Sequence, residues 1–157
     1  MFYSIVLSLH NILRWLVLLF GLLAIVRSIN GLNFKRGFTG QDNRIGMWFV
    51  SLLDLQVLLG LLLYFVLSPL TTAALQNFGG AMGNTSVRYF LVEHAIMMLI
   101  ALVIAQIGRV MARKAENAAS KHRRTAVWFA LSLLVVLAAI PWPFLSAGRP
   151  LLRFFGL

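Results

Sequence analysis

Three histidines occur in the chain, and two of them, His10 and His94, stand inside long apolar segments. Counted from the ends of those segments at 1.5 Å per residue, both lie ~8 to 11 Å into the hydrocarbon layer of a bilayer. Two imidazoles at matched depth on facing helices can clamp a haem iron from above and below, while the apolar faces of the porphyrin fill the space between helices. With both axial positions filled, such a site moves electrons and leaves no place for oxygen or substrate. The alternative is a pair of structural histidines that hydrogen-bond across helices, each contributing ~1 kcal/mol or less in a membrane. Met97 and Met98 follow His94 by three and four residues. A thioether is another axial ligand, although core filling is the commoner work of methionine. His122 falls in a basic connection with Lys121, Arg123 and Arg124, and no chemistry is expected of it.

Arg14 follows one turn after His10 on the same helical face, near the bilayer middle. A charge there is expensive unless it is paired. Two of the four acidic residues fall within apolar segments, Asp54 and Glu93. Asp54 lies ~18 to 21 Å and Arg14 ~14 Å from the same boundary, a gap that two side chains can close. Glu93 lies nearer that boundary and competes for the same partner. One reading is a buried charge network of Arg14, Asp54 and Glu93 that orders the bundle. The functional alternative has Arg14 hold a haem propionate or a quinone carbonyl while Asp54 or Glu93 relays protons. Arg88 and Arg149 are placed to meet propionates at the same end, or to serve as ordinary interfacial charge. Gln56 and Gln106 are expected to bond between helices, and Gly21 and Gly60 to let helices approach closely.

Membrane helices must position these groups. Apolar residues make up 61% of the 157 positions and charged residues 11%, outside the range of a water-soluble domain. Four apolar stretches, about residues 5–27, 46–68, 87–108 and 125–144, each approach the ~20 residues that a helix needs to cross ~30 Å of hydrocarbon. The expectation is all-α: an integral membrane four-helix up-and-down bundle, one domain over residues 1–157. The first stretch is too long for a signal-peptide core and has no basic residue before it, so it is expected to remain as the first helix. Pro69 stops the second helix, and residues 71–86, with Gly79, Gly80 and Gly83, read as a loop over the bundle. Residues 109–124 have the composition to prolong the third helix. Pro141 and Pro143 end the fourth.

The net charge of +10 is distributed as a topology signal rather than as a nucleic-acid surface, and no nucleic-acid partner is expected. Arg27, Lys35, Arg36 and Arg44 flank the first connection, and Arg109, Arg113, Lys114, Lys121, Arg123 and Arg124 flank the third. Only Arg88, Arg149 and Arg153 stand on the other side, so the positive-inside rule puts both termini outside. The basic connections can also attract anionic lipid. Cysteine is absent, which excludes disulfides and thiolate-held zinc or iron-sulfur centres.

The chain resembles a group of small bacterial four-helix membrane proteins of cytochrome b-like type. The likeness runs through His10-Asn11-Ile12-Leu13-Arg14-Trp15, Asp54-Leu55-Gln56 with Gly60, Val92-Glu93-His94 with Met97-Met98, and Ile140-Pro141-Trp142-Pro143-Phe144 with Gly148-Arg149-Pro150. It implies one b-type haem in a multi-pass protein of the bacterial inner membrane. Unlike two-haem cytochromes of the b561 type, the chain has paired histidines on one side only. A single haem there cannot carry electrons across the bilayer alone, so a quinone, a redox protein or a larger membrane complex is the expected partner. A haem-free accessory subunit is the alternative. A small transporter is a third reading, weakened by the absence of broken helices in matching halves.

Overall fold

The computed structural model describes residues 2–152, which leaves Arg153 outside the described residues. Six helices are formed among them: α1 (Phe2–Asn33), α2 (Gly40–Leu67), α3 (Pro69–Gln76), α4 (Phe78–Met82), α5 (Thr85–Arg113) and α6 (Ala118–Ala139). No strand occurs among the described residues. α1, α2, α5 and α6 are long and apolar enough to cross a membrane, and the protein is a multi-pass membrane protein. α1 packs on α2 and α6, and α5 on α6 and α2, which closes an up-and-down bundle. Leu19, Leu22, Leu58, Val103 and Leu134 point outward along the spans, as side chains do when lipid is the solvent.

The long helices overrun the apolar stretches at the ends that carry the connections. Their boundaries are set by caps rather than by hydropathy. α2 starts at a reciprocal capping box: the Thr39 amide donates to Asp42 Oδ2 at 2.9 Å, and the Asp42 amide donates to Thr39 Oγ1 at 3.3 Å, satisfying two amides that a helix start leaves without partners. α5 stops at Arg113 instead of continuing to residue 124. Asn117 then caps α6, its Oδ1 accepting from the Ser120 amide at 2.8 Å. α6 ends at Ala139, five residues short of expectation, because Ile140 precedes a proline and is held extended with ψ 127°.

Two wide turns interrupt the regular ladder, and both lie beside the histidines. The Ser68 amide donates to the Leu63 carbonyl at 2.8 Å, closing a π turn at the end of α2 over Leu63–Leu67. A second π turn occupies Tyr89–Glu93, immediately before His94. Tyr64 Oη donates to the Leu91 carbonyl at 2.9 Å and ties the two together. Such turns rotate the side chains that follow them and recur at functional sites. The glycine-rich stretch expected as a loop folds instead as α3 and α4, which cap this end of the bundle.

The opposite end, which carries the connections between α1 and α2 and between α5 and α6, is closely packed. The Phe49 and Phe129 rings meet at 4.8 Å with essentially no exposure. Gly21 lets α1 approach: a Cβ there would stand 2.8 Å from the Phe49 ring.

Candidate functional site

His10 on α1 and His94 on α5 come together with ring centroids 6.4 Å apart and planes 69° apart. They line a cavity of about 600 Å³, together with Arg14, Gln56, Tyr64, Met98 and Arg149. That volume lies within the ~300 to 1,000 Å³ range of small-molecule and cofactor sites. Leu70, Thr71 and Phe78 from α3 and α4 contribute to its wall, so the capping helices shield this end.

The proton on His94 can be placed. Its Nδ1 lies 2.7 Å from the Ala139 carbonyl oxygen; an oxygen without a proton only accepts, so Nδ1 must donate and the neutral ring keeps its lone pair on Nε2. A backbone carbonyl that orients a ring in this way is the usual outer-shell support of a metal-binding histidine. His10 has no such support. Its Nδ1 is buried without a partner among the described residues, and its Cε1 lies 3.2 Å from where a Cβ on Gly60 would stand. Gln56 Nε2 donates to the His10 backbone carbonyl at 3.0 Å, fixing the α1 backbone rather than the ring.

The distance between the rings has a chemical meaning. With a metal–nitrogen bond of ~2.0 Å and a ring nitrogen ~1.1 Å from its ring centre, two imidazoles sharing one metal ion have centroids ~6 Å apart. Rings that share a metal rotate freely about the axis joining them, so a 69° angle does not conflict with such an arrangement. Among the described residues no group of three or more His, Asp or Glu gathers to enclose an ion. Two imidazoles are too few to enclose a bare ion, and beside a large apolar cavity they would fit a metal already held in a flat macrocycle such as haem.

The expected buried charge network does not form. Among the described residues the ion pairs are Arg27–Asp42 and Arg88–Glu93, with nitrogen–oxygen distances of 2.8 and 2.9 Å. Asp54 Oδ1 instead accepts from Gln106 Nε2 at 2.8 Å on an outward face of α2 and α5, and neither Asp54 nor Glu93 lines the cavity. Their proposed proton relay loses its basis. Arg14 finds its acceptor in the segment after α6: its Nη2 donates to the Leu151 carbonyl. Trp15 Nε1 shares that oxygen at 3.1 Å. Arg14 Nε is buried and has no partner among the described residues. Proximity along the bilayer normal was a poor guide because helix rotation, which depth does not encode, turns Asp54 toward α5.

Arg88 is drawn away from the cavity by Glu93, which leaves Arg149 and Arg14 as the two cations that line it among the described residues. Arg149 reaches the site because residues 141–149 turn tightly: its amide donates to the Pro141 carbonyl at 3.0 Å. Its guanidinium lies 5.0 Å from the Phe90 ring centre. Gly148 makes this turn possible, since a Cβ there would approach three carbonyl oxygens at 2.7 to 2.8 Å.

His122, expected in a basic connection, is fully buried near the start of α6. It packs beneath Gly31 and lies 5.0 Å from the Phe38 ring. Its burial was readable from the row His122, Thr125, Ala126, Phe129, Ser132, Leu133 and Val136, which occupies one face at helical spacing. The neighbouring cations hid that signal. Gln106 and Gln56 do bond between helices, and Met98 is buried in the core while also reaching the cavity. Compared with protein families, curated proteins and solved structures, the chain finds no match.

Proposed function

We propose that the protein is a membrane cytochrome holding one b-type haem between His10 and His94 and exchanging electrons with a quinol or a redox partner at that end of the bundle. The observation that carries this reading is the 6.4 Å separation of the two rings, both of which line a large apolar cavity. When bound, the haem would be held by His10 and His94 and would supply one-electron chemistry there. His94 enters the site with its proton held at Nδ1 by Ala139. Arg14 and Arg149 meet the propionates, supplying two cations for two carboxylates. The capping helices α3 and α4 limit water access. The resemblance to small cytochrome b-like proteins points the same way, as does the location it implies, the bacterial inner membrane; the basic connections put both termini outside. A haem confined to one half of a bilayer needs a partner to complete a circuit, which favours membership of a larger membrane complex.

A reduced-minus-oxidised visible spectrum of the purified full chain tests the proposal. A b-type spectrum is expected, lost in His10→Ala and His94→Ala and retained in His122→Ala. Absence of the spectrum from a folded preparation that had been supplied with haem overturns it.

The second reading, a haem-free accessory subunit, draws on a different observation. The Asp54–Gln106 hydrogen bond is open to the outside of the bundle, where a polar pair is poorly solvated by lipid and better covered by another protein.

A further inference from the structure

We infer that the basic end of the bundle holds a phosphoryl group, that of an anionic phospholipid headgroup. This site is separate from the histidine cavity and does not rest on haem binding. A hollow of about 300 Å³ is lined by Phe38, Thr39, Gly40, Asn43, Arg113 and Lys121. Three helix ends meet there: the start of α2, the last turn of α5 and the first turn of α6. The turn between α5 and α6 thus brings Arg113 and Lys121 to one cavity, although like charges repel.

Neither cation has a carboxylate partner among the described residues. Asp42, close by in sequence, is already occupied, with Oδ1 accepting from Arg27 and Oδ2 from the Thr39 amide and hydroxyl. Arg109 Nη1 donates to Asn43 Oδ1 at 2.8 Å, which adds a third cation nearby and leaves Asn43 Nδ2 to donate. Gly40 faces open space, with nothing within 4 Å of a Cβ built on it. The Asp42 amide is taken by Thr39 Oγ1, while those of Gly40 and Gln41 before it have no intrahelical acceptor. Two unpaired cations, an amide donor and open backbone match the several acceptor oxygens and the charge of a phosphodiester.

Free phosphate offers the same oxygens. A lipid is favoured by position: basic pockets between helix ends at a membrane surface suit acidic headgroups, and Met47, Trp48 and Val110 present exposed apolar surface on the adjoining turns of α2 and α5, where acyl chains would lie.

Native mass spectrometry of the full chain in detergent, with phosphatidylglycerol, phosphatidylcholine or inorganic phosphate added, separates these cases. A retained phosphatidylglycerol adduct is expected, with little from phosphatidylcholine. Replacing both cations, Arg113→Gln with Lys121→Gln, should weaken it about thirtyfold. Lys121→Arg should preserve it, and so should Arg123→Gln, which removes an exposed cation outside the hollow. Circular dichroism establishes that the double variant keeps its helices; should it lose them, Lys121→Gln alone carries the test, with about a fivefold loss expected. Phosphatidylglycerol binding that survives loss of the cations, or that Arg123→Gln reduces equally, overturns the site. Inorganic phosphate bound as tightly as the lipid overturns the lipid assignment.

Discussion

The two ends of the bundle solve opposite problems with the same four helices. At the connection end, aromatic rings and glycines fill the space between helices, and the Phe49 and Phe129 side chains are essentially sealed. At the histidine end the helices part around a cavity of about 600 Å³, and buried atoms of His10, Arg14 and Gln56 lack hydrogen-bond partners among the described residues. Native interiors are close-packed and leave few polar atoms unpaired. Unpaired atoms occur at the connection end too, where both ring nitrogens of His122 are buried without partners among the described residues, so the cavity itself is what separates the two ends. The difference teaches that the connection end holds the fold while the histidine end is shaped for something else.

Substitutions that exchange the character of the ends should break this contrast. The largest effect is expected from the histidines. His10→Ala and His94→Ala should each abolish the b-type spectrum while circular dichroism still reports helix. His122→Ala should keep the spectrum and, by opening a void, cost about 2 kcal/mol or more in stability. A spectrum lost in all three would show that histidine burial, not ligation, was being measured.

Glycines give the next effect. Gly108→Ala would drive its new methyl group into the Trp128 Cβ, which the α6 backbone holds in place, and should lower stability by about 1 to 3 kcal/mol in thermal unfolding. Gly60→Ala meets only the edge of the His10 ring at 3.2 Å. It should leave stability nearly unchanged and perturb the spectrum instead.

The two ion pairs refine the comparison further. Asp42 is 6% exposed and serves both Arg27 and the α2 cap, so Asp42→Asn should cost about 1 to 3 kcal/mol. Arg88 and Glu93 have side chains 43% and 37% exposed, and Glu93→Gln should cost about 1 kcal/mol or less. The reverse order would mean that the histidine end bears the structural load. The smallest effect is a shift in midpoint potential. Arg14→Gln removes a positive charge beside the cavity, favours the oxidised state, and should lower the potential by on the order of tens of millivolts. An unchanged or higher potential would remove Arg14 from the site.

Local sequence was enough to establish four spans, the absence of thiolate chemistry, the gathering of cations at one end, and the equal depth of His10 and His94. These properties depend on composition and on rise per residue, which a helix imposes without reference to its neighbours. Tertiary structure decided which groups meet. Rotation of α2 gave Asp54 to Gln106, the tight turn after α6 delivered the Leu151 carbonyl to Arg14 and carried Arg149 to the cavity, and the π turn over Tyr89–Glu93 set the angle from which His94 enters. Axial position is additive along a chain, whereas azimuth and chain reversal result from packing between segments distant in sequence, and no local pattern contains them.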